Sequence, residues 1–182
     1  ISVVKPHCVF HLAALKHVDL AERDPYRTYD VNVEGTFNLL KATVGVQRFM
    51  LMSTDKSVFP AGLMGATKRM AELAVMLYAE RHPIGDYSIV RSGNVIGSSG
   101  SALNRFVCQI ENTREVSVTH PGMARFFVSN VQLASLIIHT VLRNRRKLGA
   151  SISYIVDCGA PIKIVDVVRR IAACLGKKIV AE

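Results

Sequence analysis

A hydroxyl, a carboxylate and an amine stand in a row at Thr54, Asp55 and Lys56. They follow Phe49–Met52, an apolar run with the length of a buried strand. A second amine, Lys68, lies in the next segment of helical spacing. A strand end that presents such groups to a lysine on the following helix is typical of an active site at the carboxyl edge of a parallel sheet. The alternative is an ordinary strand-to-helix turn, because threonine and aspartate also stabilise turns.

Apolar periodicity predicts the elements that position these groups. Strands are predicted at His7–Ala14, Arg48–Ser53, Tyr87–Arg91, Val116–Val118 and Ile152–Val156. Helices are predicted from the Asp24–Pro25 cap to Gly45 and at Leu63–His82, Leu103–Glu111, Val131–Arg145 and Ile164–Leu175, and a polar loop at Thr119–Phe127. Strands that alternate with helices favour right-handed crossovers and an α/β fold with a doubly wound parallel sheet.

The apolar positions of three predicted helices indicate which side chains should be buried. In the helix that follows Pro25 they are Val33, Phe37, Leu40 and Val44. In the helix over Leu63–His82 they are Met70, Ala74, Leu77 and Tyr78. In the helix over Val131–Arg145 they are Leu133, Leu136, Ile137 and Val141.

Length and composition indicate a globular protein. The 182 residues fit one domain, and 49% hydrophobic with 20% charged residues argues against disorder. No apolar run approaches the ~20 residues of a membrane-spanning helix. The four cysteines are scattered, which disfavours a disulfide framework or a metal site and favours a reducing, cytoplasmic location.

The net charge of +9 has two interpretations, a nucleic-acid surface or a site for an anionic small molecule. The basic clusters fall near the ends of predicted helices, where cations suit the helix dipole. They comprise Arg143, Arg145, Arg146, Lys147, Arg169, Arg170, Lys177 and Lys178. Neither an aromatic stacking series nor a nucleic-acid motif accompanies them, so an anionic small substrate is favoured over nucleic acid.

Six motifs in order carry a family resemblance: HLAALKHV (11–18), NVEGT (32–36), STDK (53–56), MGATKR (64–69), RSGNVIGSSGS (91–101) and VTHPGMARFF (118–127). On these the chain resembles the extended short-chain dehydrogenase/reductase superfamily, in its CapD-like polysaccharide-biosynthesis branch. The superfamily pairs tyrosine and lysine four residues apart on one helix face. Here Met64 takes the place of that tyrosine before Lys68, which is similar to the membrane-anchored UDP-N-acetylglucosamine 4,6-dehydratases.

The resemblance implies a Rossmann-like fold and a 4,6-dehydration that uses NAD or NADP. Carbon 4 of the hexose is oxidised, water is eliminated across carbons 5 and 6, and the hydride returns to carbon 6. By resemblance Lys56 is the base at carbon 5, Asp55 the acid at the departing hydroxyl, and Thr54 a hydrogen-bond donor to the carbon 4 oxygen. Lys56 acts as a base only if burial lowers its pKa. Lys68 would hold the nicotinamide ribose.

The other expected contacts follow from the same resemblance. Cofactor contacts are expected from Ala13, Ala14, Lys16, Ser53, Lys68, Ser92 and Asn94. Contacts to the UDP-sugar are expected from Lys16, His17, Asn94, Ser98, Ser101, Thr119, His120 and Arg125. Arginine can form charge-assisted bonds to a diphosphate. The bland interpretation of His17 is an exposed loop histidine. No metal ligands are expected.

Two departures from the family pattern bear on the cofactor site. A Rossmann site needs a glycine-rich turn between its first strand and helix, and no GxxGxxG occurs in the chain. An arginine of the family is replaced by Ser99. We therefore expect a chain that lacks the first βαβ portion and is truncated at both ends. Residues 1–92 would be the carboxyl-side part of an NAD-binding core, and residues 93–182 a mixed substrate-binding lobe interleaved with remaining core elements.

Two alternative functions stay open at this point. One is a nucleotide-sugar epimerase or reductase, although the Asp55–Lys56 pair disfavours it because epimerisation needs no elimination base. The other is a non-catalytic remnant that binds a nucleotide sugar or a protein. By resemblance, the parent protein is expected to be anchored at the inner face of a bacterial membrane and to form a homo-oligomer.

Overall fold

A parallel sheet presents Thr54, Asp55 and Lys56 at its carboxyl edge. The computed structural model describes residues 3–113, 115–142, 149–178 and 180–181. The chain divides into a first unit, Ile1–Arg91 with Leu136–Val156, and a second unit, Ser92–Ser135 with Asp157–Glu182. Residues 136–156 of the first unit fall within the 93–182 lobe that was predicted to be interleaved with core elements.

The elements up to Ser92 alternate between strand and helix, as predicted. The strands are β1 (Cys8–His11), β2 (Arg48–Thr54) and β3 (Asp86–Ser92). The helices are α1 (Val18–Arg23), α2 (Pro25–Tyr29), a π-helical turn (Asp30–Glu34), α3 (Gly35–Ala42), a 3-10 turn (Asp55–Ser57) and α4 (Leu63–Arg81). The Asp24–Pro25 cap is confirmed, because the Asp24 side chain accepts a hydrogen bond from the Arg27 amide and Pro25 opens the helix.

The later elements are shorter. The strands are β4 (Asn94–Ile96), β5 (Glu115–Val116), β6 (Ala124–Arg125), β7 (Phe127–Ser129), β8 (Ser151–Ile155), β9 (Ile162–Lys163) and β10 (Val180–Ala181). The helices are α5 (Ala102–Asn112), α6 (Asn130–Leu142) and α7 (Ile164–Cys174). Residues 143–145 of the helix predicted at Val131–Arg145 lie outside the described residues, as do Arg146 and Lys147 of the basic cluster.

The first unit is built on a four-stranded sheet in the order β1-β2-β3-β8. β1 runs parallel to β2, with Cys8 opposite Arg48, and β3 runs parallel to β8. The predicted α/β class and parallel sheet are confirmed. Because the strands are parallel, the carboxyl ends of β1 and β2 meet at one edge, where His11 and Thr54 are the last strand residues.

The buried face of α4 differs from the predicted one. Ala74 is buried, but Met70 is 43% and Leu77 42% exposed. The buried face carries small apolar residues together with Thr67, Lys68 and Glu72. The prediction from apolar spacing was therefore wrong for this face, because polar side chains are buried on it and larger apolar side chains are exposed to solvent.

Two other burial predictions were wrong at single positions. Val44 is 66% exposed because α3 ends at Ala42, before the predicted stop at Gly45. Leu136 is 39% exposed, whereas Leu133, Ile137 and Val141 are buried as predicted. β1 also ends at His11, three residues before the predicted strand end.

The described residues of the second unit form an apolar core and three two-stranded sheets. The core consists of Phe106, Ile110, Val116, Ile164, Val168 and Ala172. The sheets pair β5 with β10, β4 with β7, and β6 with β9. The segment predicted as a polar loop at Thr119–Phe127 therefore contains β6 and the start of β7. Among the described residues, no helix combines the length and the apolar character needed to cross a bilayer.

Candidate active site

The end of β2 brings Thr54, Asp55 and Lys56 into mutual contact. The Thr54 hydroxyl donates to Oδ1 of Asp55 over 2.9 Å, and the Lys56 amine donates to the same oxygen over 2.9 Å. The Lys56 and Asp55 side chains are 32% and 34% exposed. A hydroxyl, an acid and an amine are thus held together at the sheet edge while remaining accessible.

Gly65 allows the turn that carries Lys56 to lie against α4. A Cβ at position 65 would stand 2.5 Å from the Lys56 carbonyl oxygen and 3.4 Å from the Pro60 Cα. Such a contact with backbone cannot be relieved by rotating a side chain. The glycine of the MGATKR motif is therefore required by the close approach of the two backbones.

Met64 and Lys68 lie one turn apart on the buried face of α4, and each is 6% exposed. Burial lowers the pKa of Lys68 from 10.5 to about 8, and the charge of Glu72 partly opposes this shift. A buried amine with such a pKa is suited to a polar ligand that replaces the lost water. The thioether of Met64 cannot titrate.

His11 is a buried neighbour of this lysine that the sequence interpretation did not single out. Its Nε2 lies 2.9 Å from the Thr36 hydroxyl, which itself donates to the Asn32 carbonyl over 2.7 Å. Because that hydroxyl has one hydrogen, the His11 Nε2 is the donor in their bond. Burial, and then the charge of Lys68, lower the pKa of His11 from 6.5 to about 4.

This shift predicts acid sensitivity of the first unit. Between pH 6.5 and 4 the unfolded chain binds a proton at His11 that the folded chain does not, so the free energy of unfolding should fall by up to about 3 kcal/mol as the pH falls through this window. In a His11→Gln variant, which retains a donor but cannot titrate, denaturant unfolding at pH 7 and pH 4 should show a smaller fall. The same change at exposed His7 should leave the fall unchanged; equal falls in all three proteins would contradict the prediction.

Glu72, which sequence reasoning missed, has no exposed area and accepts hydrogen bonds from four side chains. Arg91 donates from Nε and Nη2 over 2.9 and 2.7 Å, and Arg69 from Nη1 over 3.0 Å. Ser53 and Ser57 donate over 2.6 and 2.7 Å. Burial alone would raise the pKa of Glu72, but these bonds lower it from 4.5 to about 2. The carboxylate is therefore ionised, and both of its oxygens accept hydrogen bonds.

Asn32 is a third residue, after His11 and Glu72, whose role the sequence did not reveal. Its amide oxygen accepts from the Leu15 amide over 2.8 Å, and its amide nitrogen donates to the Leu15 carbonyl and the Thr67 hydroxyl, each over 3.0 Å. It thereby ties the loop after β1 to the residue that precedes Lys68. The signal available in the sequence was a polar residue between Val31 and Val33 in a segment of helical spacing. Asn32 lies in the π-helical turn, and such turns are frequent at functional sites.

The remaining predicted residues of the first unit lie in or beside this region. In the loop after β1, Ala13 and Lys16 are exposed and Ala14 and His17 are half-buried. His17 is the N-terminal cap residue of α1, and its carbonyl accepts from the Ala21 amide over 3.0 Å. Ser53, predicted as a cofactor contact, directs its hydroxyl to Glu72.

Seven predicted residues belong to the second unit. Ser92 is buried and its hydroxyl donates to the Gly93 carbonyl, while the main-chain N–H of Asn94 donates to the Phe126 carbonyl over 2.7 Å. Ser101 precedes α5, and within the described part of the chain its buried hydroxyl has no hydrogen-bond partner. The other four are Ser98, Thr119, His120 and Arg125.

The local surroundings of three of these four are defined. Arg125 is half-buried and donates to the Ala124 carbonyl over 2.9 Å. Exposed His120 accepts from the Gly122 amide at Nδ1 over 3.0 Å, and the Ser98 amide donates to the Val95 carbonyl over 3.4 Å. Thr119 is exposed. Across the ranges that the structure describes, no group of three or more His, Cys, Asp or Glu side chains could hold a metal ion.

Comparison with known proteins places this chain in a family. A family model described as polysaccharide biosynthesis protein matches residues 1–182. The capsular polysaccharide biosynthesis protein CapD of Staphylococcus aureus is 38% identical over 176 residues, 96% of this chain and 29% of that protein. The probable polysaccharide biosynthesis protein EpsC of Bacillus subtilis is 39% identical over 170 residues, 92% of this chain and 27% of that protein.

The chain is also similar to an epimerase in sequence and to a solved structure in fold. A UDP-glucose 4-epimerase of Rickettsia rickettsii is 36% identical over 135 residues, 72% of this chain and 40% of that protein. The solved structure of MoeE5 in complex with UDP-glucose and NAD superimposes with a TM-score of 0.86 at 21% identity, covering 96% of this chain and 64% of that one. This chain thus spans less than half the length of each of these sequence relatives.

Proposed function

The chain belongs to the polysaccharide biosynthesis protein family, in the CapD-like branch of the extended short-chain dehydrogenase/reductases, and from this membership we propose that it is part of an NAD(P)-dependent enzyme that modifies a nucleotide sugar. More specifically, we propose a 4,6-dehydratase that acts on UDP-N-acetylglucosamine. The observation that supports a dehydratase is the hydrogen-bonded group of Thr54, Asp55 and Lys56 at the sheet edge. Epimerisation requires no such elimination pair.

Each member of this set has a role in the proposed reaction. The reaction starts from the neutral Lys56 amine and the protonated Asp55 carboxyl. Lys56 then removes the proton from carbon 5, which the neighbouring ketone acidifies, and Asp55 gives its proton to the departing hydroxyl of carbon 6, which leaves as water. The Thr54 hydroxyl donates to the carbon 4 oxygen and orients it. Substrate binding must therefore separate the two groups with their shared proton left on Asp55, because in the structure the Lys56 amine still donates it to Oδ1.

The residues at the edge of β1 and on α4 fit a dinucleotide cofactor. Ala13 and Ala14 have small side chains beside the sheet edge, and the buried Lys68 amine offers a donor to a ribose hydroxyl. NAD(P), when bound, supplies the hydride acceptor for carbon 4. This part of the proposal agrees with the NAD named in the MoeE5 complex.

The second unit supplies groups suited to a diphosphate. α5 begins after Ser101, whose buried hydroxyl has no partner among the described residues. A helix N-terminus with a free hydroxyl favours anions, and the Arg125 guanidinium can add charge-assisted bonds. We propose the same subsite for Asn94, Ser98, Thr119 and His120, and contacts of Lys16 and His17 with the sugar nucleotide.

The full-length protein that contains this chain should convert UDP-N-acetylglucosamine, with NAD, to a UDP-4-keto-6-deoxy sugar. Mass spectrometry should detect the loss of one water, and NMR a new methyl group at carbon 6. Recovery of a carbon 4 epimer of unchanged mass would instead favour the epimerase. Absence of both products with calorimetric binding of the UDP-sugar retained would favour the non-catalytic alternative that binds a nucleotide sugar. Absence of products and of binding would leave only the alternative that binds a protein.

The proposal includes self-association and a cytoplasmic, membrane-anchored parent protein. Met70, Leu73 and Leu77 form an exposed apolar stripe on α4, at 43%, 48% and 42% exposure. Residues at this spacing lie on one helix face, where a second subunit could cover them.

A further inference from the structure

One buried carboxylate contacts both ends of the segment that carries the proposed chemistry. Ser53 directly precedes this segment and Ser57 directly follows it. Both hydroxyls donate to the same oxygen of Glu72, Oε1. The Ser57 hydroxyl oxygen also lies 2.7 Å from the Thr54 carbonyl. The first and last residues of the strand-to-turn transition are therefore fixed to one point on α4.

Two arginines hold that point in place. Arg91 on β3 engages both oxygens of Glu72, and Arg69 engages Oε2. The carboxylate is thus oriented by two different elements, so that Oε1 faces the two serines. Buried ion pairs contribute little net stability compared with apolar packing, whereas they impose a definite geometry.

α4 supports the turn at a second position on the same face. The backbone of Gly65 lies against the Lys56 carbonyl. Gly65 precedes Glu72 by seven residues, or about two helical turns, so the two residues lie on the same face of α4. The turn is therefore supported beneath Lys56 and at both flanking serines.

We propose that Glu72 is a positioning residue that holds Thr54, Asp55 and Lys56 in their reactive arrangement through Ser53 and Ser57; this role rests on the function proposed above. Glu72 itself is not an acid or base of the reaction, because its carboxylate is buried and both oxygens already accept hydrogen bonds.

The test compares Ser57→Ala with Thr43→Val in the full-length protein. Each change removes one buried hydroxyl whose oxygen lies within hydrogen-bond distance of a main-chain carbonyl, but Thr43 lies at the end of α3 and contacts Leu40. We expect similar falls in melting temperature. Only Ser57→Ala should lower kcat, by about 10²-fold for a displacement on the order of 1 Å, with KM unchanged. Glu72→Gln, which keeps the shape but loses the charge, should reproduce that kcat loss.

The result that overturns the proposal is wild-type kcat in Ser57→Ala, or an equal loss in Thr43→Val. If the wild-type protein converts no UDP-sugar, the proposed function fails, and amide hydrogen exchange then decides the positioning role. Faster exchange of the peptide over residues 54–58 in Ser57→Ala than in Thr43→Val supports it. Equal exchange of that peptide in the two variants overturns it.

Discussion

Replacement of Arg91 by methionine is expected to lower the free energy of unfolding by about 3 to 5 kcal/mol, because it leaves the buried charge of Glu72 without its bidentate partner. The Arg91 side chain is 16% exposed and that of Glu72 is fully buried, so water cannot replace the lost bonds. Denaturant unfolding of both proteins at pH 7 measures the difference. Arg81→Met, at the exposed end of α4, is the matched control and should change stability little.

The same pair predicts how the difference depends on pH. The pKa of Glu72 is about 2 in the folded chain and 4.5 when unperturbed. Its stabilising contribution is therefore complete above pH 4.5 and is lost as the pH falls toward 2. The wild-type protein should lose stability in that window, whereas Arg91→Met should lose less, since the hydrogen bonds from Arg91, the largest of the effects that lower the Glu72 pKa, are gone. A stability gap of constant size from pH 7 to pH 2.5 would contradict this explanation.

Replacement of Lys56 by methionine is expected to lower the dehydration rate by about 10² to 10⁴-fold, the usual contribution of a positioned general base. Binding of UDP-N-acetylglucosamine should persist, because the change removes the proton acceptor and keeps most of the side-chain volume. Exchange of the carbon 5 proton with deuterated solvent, followed by NMR, isolates the affected step.

The matched control is Lys41→Met, an exposed lysine on α3. It should leave both turnover and carbon 5 exchange unchanged. Unaltered turnover in Lys56→Met would rule out Lys56 as the base. Loss of binding together with turnover would show that the amine holds the substrate instead.

Local patterns predicted the part of the site that lies along β2. The apolar run ends at a polar cluster, and turn chemistry places Thr54 and Asp55 at the strand end whatever the rest of the chain does. Parallel topology then follows from the alternation of strands and helices. The assignment of roles to Lys56 and Lys68 rested on the family resemblance, since no spacing distinguishes a base from a ribose contact.

The network around Glu72 could not be predicted in the same way. Glu72 and Arg91 are hydrogen-bonded although they are 19 positions apart in the chain, and nothing in the sequence around either residue indicates this contact. Hydrophobic periodicity was misleading on α4, because it selected Met70 and Leu77, which are exposed, and ignored Glu72, which is buried. A helix whose buried face carries Thr67, Lys68 and Glu72 contradicts the rule that apolar residues mark the core.

The Glu72 network also bears on how the site forms during folding. Its contacts join residues that are 3, 15 and 19 positions apart in the chain. The entropy of loop closure grows with loop length, so contacts of this range form at low cost compared with pairings across the whole chain. The strand, turn and helix between Arg48 and Arg91 can therefore close as one local unit, with Asp55 and Lys56 already in contact before distant strands join the sheet.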